Sequence, residues 1–261
     1  MNKIMENKEL EQDWVVYIGS VAEKPAAFRV DLGLAQLAPI TDYFHRISIT
    51  TNLKSPTEEG FSQESEYEEI YQIEDRISQI LEDKGAILCG VVTREGEVCW
   101  YYYTQDKSSA EQVLSDIKTS DFGYNLETKI SDDANWEAYF QYLFPNIYEM
   151  QGIQNDRVRQ QCKEAGDQLS SEREIQHWLY FSTETNMRNA LAKIEEFGFK
   201  ILEAGEIDLE NEEPQSEPVG FKILASKISS PQDIDDDTWN LIDIALDHNG
   251  EYDGWETQII K

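Results

Sequence analysis

The sequence predicts an α+β protein of two domains, residues 1–150 and 154–261, each an antiparallel sheet with helices on one face in a ferredoxin-like βαββαβ order. Three observations lead there. A chain of 261 residues is long for one core. Short apolar runs, rich in branched and aromatic residues, alternate with amphipathic stretches of helical period. The alternation breaks after Pro145, so the boundary is expected at Asn146–Gly152.

In the first domain, Trp14–Ile18 and Ala26–Val30 read as a hairpin with Pro25 near its turn, and Arg46–Thr51 alternates as a strand. A polar loop from Asn52 to Phe61 precedes Ser62, an N-cap type, and a long helix to Asp83. Tyr67, Ile70, Ile73, Ile77 and Ile80 recur at helical spacing, and Gly85 stands where a C-terminal cap belongs. Ala86–Thr93 and Glu97–Tyr103 form a tight hairpin about Glu95-Gly96, which pairs Val92 with Cys99 and Cys89 with Tyr102. Ser108-x-x-Glu111 is a capping box opening a helix with Ala110, Val113, Leu114 and Ile117 on its apolar face. Tyr124–Ile130 returns as a strand, and Trp136, Tyr139, Phe140 and Leu143 line a short helix stopped by Pro145.

The second domain opens with a polar helix from Gln154 to about Leu169, with Val158, Cys162 and Ala165 as a thin apolar stripe. Glu174–Phe181 is a strand by composition. Ser182 is expected to cap the next helix, which buries Met187, Ala190, Leu191, Ile194 and Phe197; it ends at Gly198 with Phe199 folded back. Lys200–Leu209 and Val219–Ile228 pair across an acidic loop holding Pro214 and Pro218. A helix from Asp233 to Gly250 follows, with Asp235, Asp236 and Asp237 at its positive end and Leu241, Ile242 and Ala245 toward the sheet. Tyr252–Ile260 is the closing strand.

Charge bounds the partners. There are 52 acidic and 22 basic residues, a net −30, of which 24 acidic and 10 basic lie from Gln154 to Lys261, so both halves share the excess. Such a field repels nucleic-acid backbones and anionic membranes and attracts basic surfaces; plain solubility would also account for it. No apolar run approaches the ~18–20 residues of a membrane span, and Met1–Lys8 lacks the apolar centre of a signal peptide. Three cysteines, an odd number, suit a reducing compartment, so a cytoplasmic location is expected.

Catalytic and metal motifs are missing from the sequence. His45, His177 and His248 lie far apart, and no C-x-x-C, HExxH, G-x-S-x-G, P-loop or G-x-G-x-x-G occurs. Asp247-x-Asn249-x-Glu251 imitates a calcium loop, but its sixth position is Tyr252 rather than Gly and its twelfth is not Glu. No cofactor, metal or catalytic residue is therefore expected; a hydrolase built from scattered acids is the enzymatic alternative.

Two resemblances follow from particular residues. Strand Glu174–Phe181 leading through Ser182-Thr183-Glu184 to Phe197-Gly198-Phe199, the acidic hairpin Glu206–Glu217, the helix from Asp233 and the run Tyr252-Asp253-Gly254-Trp255 resemble the bacterial family of RraB, regulator of ribonuclease activity B. Glu256 replaces the small residue usual in that family. The resemblance implies a small acidic protein that restrains an RNA-degrading endonuclease by contact and catalyses nothing. Trp14, the Ala26–Val30 strand, Trp136-x-x-Tyr139 and Phe144-Pro145 make the first half similar to the domain of unknown function family 695, found fused ahead of RraB-like domains.

The expectation is a protein-binding regulator that meets a basic protein surface, an endoribonuclease by the resemblance, with no direct nucleic-acid or membrane contact. The partner-binding candidates are Glu210, Glu212, Glu213 and Glu217 in the loop and Asp233, Asp235, Asp236 and Asp237 at the helix start. Tyr252, Asp253, Gly254 and Trp255 are the family motif, read physically as core aromatics around a turn or bulge. Two other classes remain open: a nucleic-acid mimic acting on another enzyme, and a small-molecule module using the aromatic run Trp100–Tyr103, of which at least one ring would be exposed.

Overall fold

The computed structural model describes residues 11–207 and 220–261. The chain divides into two compact units, Met1–Glu149 and Met150–Lys261. In the first, β1 (Trp14–Val21) and β2 (Lys24–Asp31) form a hairpin turned by Ala22 and Glu23, both at positive φ, the backbone of turns that match strand twist. β3 (His45–Asn52), α1 (Glu64–Glu82), β4 (Ile87–Arg94), β5 (Glu97–Thr104), α2 (Lys107–Thr119) and β6 (Glu127–Asp132) follow. The six strands form one sheet in the order β1-β2-β4-β5-β3-β6, each neighbour antiparallel.

The cross-strand row Val91, Trp100 and Ile49 faces α1 and α2. There it is buried with Ile70, Ile73, Ile77 and Leu81 of α1 and Ala110, Val113, Leu114 and Ile117 of α2. The α2 face is the expected one. On α1 the stripe runs through Leu81, while Ile80 and Tyr67 are 38% and 47% exposed. Neighbouring residues on a helix point about 100° apart, and Leu81, four on from Ile77, continues the buried row.

Helices on one face alone do not describe this sheet. On its other face Tyr17 stacks on Phe28 at 4.9 Å, and Phe28 and Tyr101 meet Tyr142 at 5.8 and 5.9 Å. Tyr103 stacks on Trp136 at 4.0 Å. Tyr142 lies in a π-helical turn, Ala138–Leu143, that forms a cover with Trp136. Trp100, Tyr102 and Tyr103 are thus buried and Tyr101 half-buried, which removes the exposed ring on which the small-molecule reading rested.

Local details depart from the sequence signals in a consistent way. The Glu95-Gly96 turn pairs Val92 with Cys99 as expected, but a bulge at Cys89 sets Leu88 opposite Tyr102. Asp106, not Ser108, caps α2 by accepting the Ser109 N–H at 3.0 Å. Gln63 precedes α1 without a side-chain cap, and Ser62 bridges to Pro56 instead.

The division between the units falls inside α3 (Ile147–Glu164). The expected interruption at Asn146–Gly152 is helical because Asn146 and Glu149 form a capping box: Asn146 Oδ1 accepts the Tyr148 and Glu149 N–H groups, and Glu149 Oε2 accepts that of Asn146. α3 ends at Glu164, short of the expected Leu169.

Then come β7 (Arg173–Phe181), α4 (Glu184–Glu196), β8 (Lys200–Glu206), β9 (Phe221–Ser229), α5 (Ile234–Asp247) and β10 (Gly250–Thr257). The four strands are antiparallel in the order β10-β7-β9-β8. Leu179, Phe181, Ile223 and Ala225 are buried with Met187, Ala190 and Ile194 of α4 and Leu241, Ile244 and Ala245 of α5. Thr183, rather than Ser182, caps α4. At the other end Gly198 adopts φ +86, and the N–H groups of Phe199 and Gly198 reach the carbonyls of Ile194 and Glu195, closing a Schellman motif. Phe199 is thereby buried, whereas Phe197 is 42% exposed. Among the described residues no helix is long and apolar enough to cross a membrane.

Candidate partner-binding surface

The motif Tyr252-Asp253-Gly254-Trp255 lies on edge strand β10, and its geometry is set by a bulge. Tyr252 pairs with Leu179 and Trp255 with His177, so Asp253 is the extra residue, followed by Gly254 at φ +153. In a regular strand residues three apart face opposite ways. The inserted residue brings both aromatics to the core face instead. Just before them Gly250 lies against β7: a Cβ there would come within 2.4 Å of Phe181 Cδ1 and 2.6 Å of the Tyr180 carbonyl.

Each motif aromatic ends on a buried polar partner. The Tyr252 hydroxyl lies 3.0 Å from His177 Nδ1. His177 is fully buried, and that desolvation depresses its pKa to about 4, with the opposing influence of Asp237 smaller. Burial also drives the Tyr252 hydroxyl well above its ordinary value. Trp255 Nε1 donates to Asn155 Oδ1 at 2.8 Å.

Asn155, wholly buried on α3, links the motif to the start of α5. Its Nδ2 donates to Asp235 Oδ1 at 2.7 Å and to Thr238 Oγ1 at 3.0 Å, and Gln151 donates to its Oδ1. Arg159, one turn further along α3, places a guanidinium nitrogen 3.1 Å from both Asp235 oxygens. Burial works against the Arg159 cation, but Asp156 and Asp235 outweigh it and its pKa rises. Nothing in the sequence marks Asn155, which sits in a polar run that reads as solvent-facing.

The acidic candidates are therefore placed unequally. Asp235 is held by Asn155 and Arg159. Asp237 is 6% exposed and accepts from Lys227 Nζ at 2.6 Å. Asp233 is exposed and accepts the Ser230 hydroxyl, and Asp236 is exposed. Glu210, Glu212, Glu213 and Glu217 lie outside the described residues. The outward stripe of α5 instead reads Asp236, Trp239, Asp243, Leu246 and Asp247, spaced at helical intervals. Trp239 and Leu246 are 39% and 49% exposed. The spacing of this stripe is visible in the sequence, whereas the exposure of Trp239 is set by how α5 packs on the sheet.

Among the described residues no group of three or more His, Cys, Asp or Glu side chains could hold a metal ion. His45 pairs with Asp132 at 2.9 Å, and His248 forms the C-cap of α5. Cys89, Cys99 and Cys162 are free thiols, and burial raises the pKa of each.

Comparison with known proteins adds two matches. Residues 12–144 match the family model described as Family of unknown function (DUF695), and residues 152–257 the one described as Regulator of ribonuclease activity B (RraB). A curated relative, the Regulator of ribonuclease activity B of Photobacterium profundum, is 35% identical over 85 residues. That stretch is 32% of this chain and 62% of the relative, less than two thirds of its length. Two solved structures are also matched. An unknown protein from Galdieria sulphuraria has 9% identity and a TM-score of 0.23, with 80% of this chain and 95% of that one covered. A Bacteroides thetaiotaomicron protein has 8% identity and a TM-score of 0.20, with coverage of 80% and 90%.

Proposed function

We propose that this chain, which belongs to the Family of unknown function (DUF695) and whose residues 152–257 match the RraB family, is a non-catalytic regulator that binds an endoribonuclease and modulates RNA degradation. The observation that carries this reading is the RraB match, joined to 35% identity with a curated regulator of that name. The order β10-β7-β9-β8 supports reading the second domain, residues 154–261, as ferredoxin-like, and the run β4-β5-β3-β6 supports the same reading within residues 1–150.

Binding is electrostatic with an aromatic anchor. Asp236 and Asp243 flank the exposed Trp239 at i−3 and i+4 on α5, with Asp247 one turn beyond, and an arginine approaching that helix meets carboxylates and an indole face together. Asp233 lies beside this stripe, and Glu210, Glu212, Glu213 and Glu217 add four negative charges to the chain. Asp235 and Asp237 act one step back, holding the helix in place. A basic nuclease segment so engaged is withheld from RNA, which shares the protein's sign of charge. The protein works in the cytoplasm without cofactor, metal, membrane or direct nucleic-acid contact.

The test uses the full chain and a purified endoribonuclease that carries an arginine-rich segment, read by cleavage of a labelled RNA. Added protein slows cleavage, and the triple substitution Asp236→Asn, Asp243→Asn and Asp247→Asn relieves the effect. Cleavage indifferent to the wild-type chain at saturating concentration overturns the reading.

A further inference from the structure

Among the described residues, no helix covers strands β1 and β2 on the helix-bearing face of the first unit's sheet. The core beneath α1 and α2 is built from β3, β4 and β5 with the two helices, and it draws no residue from β1 or β2. Val16 sits opposite Arg29, and Arg29 opposite Val91, so all three project to this face. Val16 and Ile18 are 64% and 61% exposed there. Across from them α1 presents Tyr67 and Tyr71, 47% and 54% exposed.

Two clefts line this strip, and they share Arg29 and Glu74. One, of about 350 Å³, lies between the β1 aliphatics and the α1 tyrosines. The other, of about 760 Å³, follows the C-terminal half of α1 past Asp75, Glu82 and Asp83. The Arg29 guanidinium pairs with the Glu74 carboxylate, which also accepts from Trp100 Nε1. It lies 5.5 Å from the Trp14 ring and 5.9 Å from the Tyr71 ring. Among the described residues that line this cleft, Arg29 is the one base, set against Asp31, Glu74, Asp75, Glu82 and Asp83. Consistent with this, burial and then the neighbouring Asp83 raise the Glu82 carboxyl above its usual range.

We infer that this groove is a docking site for an amphipathic α-helix of a partner protein, with its apolar face on Val16, Ile18 and Tyr71 and basic side chains at the end that meets Asp75, Glu82 and Asp83. The shape argues for a helix. The floor is a sheet face, one wall is already a helix, and a third helix beside α1 and α2 would complete the layer. The 19 residues of α1 give a wall about 28 Å long, room for some five turns. The charge argues for a basic partner and against a second copy, which would bring another −30 against the same face. This site lies within the DUF695 match and stands independently of the ribonuclease reading.

The experiment selects a display library of 18-residue helical peptides on the full chain, then measures the enriched peptides by fluorescence anisotropy. Enriched sequences carry apolar residues at i, i+4 and i+7 with Lys or Arg toward one end. Ile18→Asp and Tyr71→Ala each weaken them at least about tenfold, as loss of an interface anchor does. Asp75→Asn with Glu82→Gln and Asp83→Asn flattens the salt dependence. Both anchor positions are more than half exposed, and circular dichroism confirms that the variants fold; Tyr71→Ser serves where Tyr71→Ala does not. The inference is overturned by a library that yields no such peptide, by peptides indifferent to both anchor substitutions, or by a wild-type dimer in light scattering that Ile18→Asp dissolves.

Discussion

Trp255 and Asn155 lie a hundred residues apart in sequence and share a 2.8 Å hydrogen bond, with the indole N–H donating to a fully buried amide oxygen. The indole of the most recognisable motif in the chain is thus satisfied from α3, and the same amide reaches Asp235 and Thr238 on α5. Replacing Asn155 by Leu leaves the indole N–H without its acceptor and takes a donor from the Asp235 carboxylate, while Thr238 keeps its bond to the Asp235 carbonyl. The expected cost is about 2–4 kcal/mol, in line with buried polar groups left unsatisfied. Hydrogen exchange on the full chain reads it: amides of β10 and α5 lose protection, while those of β3 and β5 keep theirs.

His177 gives the second unit a defined response to acid. Its folded pKa of about 4 lies below the ordinary 6.5, so the unfolded chain takes up a proton first as pH falls. The stability tied to the neutral ring is fully present above pH 6.5 and is lost as pH falls toward 4, about 3 kcal/mol in all. His177→Gln removes this slope from the stability–pH curve measured by urea denaturation. An unchanged slope in that variant would assign the acid response elsewhere.

Gly250 is required by space. Gly250→Ala drives a methyl against the fully buried Phe181 ring and the Tyr180 carbonyl, neither of which is free to swing away. Overpacking of this kind costs about 1–3 kcal/mol, and thermal unfolding should show the loss with no change in net charge.

Arg173 and Asp167 form a buried two-pronged ion pair at 2.7 and 2.9 Å, with side chains 6% and 0% exposed. Burial works to raise the Asp167 carboxyl, but Arg173 and the Ile260 N–H more than offset it and hold the pKa below the usual value. Arg173→Met strands the carboxylate, for which about 3–5 kcal/mol is expected. Arg173→Lys keeps the charge but not the fork, so it falls between the wild type and Arg173→Met.

Patterning that depends on the chain's own period was legible from sequence. The buried face of α2, the Val92–Cys99 pairing across Glu95-Gly96 and the Gly198-Phe199 helix end all follow from spacing and turn chemistry. Features set by a partner element were not. Asp106 and Thr183 take the capping role expected of Ser108 and Ser182, and Gln63 stands at the start of α1 with no side-chain cap, because these residues stand where the backbone enters the helix. The α1 stripe passes through Leu81 rather than Ile80 because the sheet fixes the helix rotation. Of the candidate acids, Asp235 and Asp237 turn inward because Arg159, Asn155 and Lys227 come from elsewhere in the chain. A run of aspartates cannot show which of its members will be claimed.

The bulge at Asp253 makes the closing strand a counting device. With the extra residue present, two aromatics at odd spacing both reach the interior; without it, one of them would be turned to water. Substitutions at Asp253 leave that count unchanged, whatever they do to charge. A deletion of one residue there, neutral in most surface loops, would put every side chain beyond it on the wrong side of the sheet. Alignments of this domain should therefore tolerate many letters at position 253 and no gap.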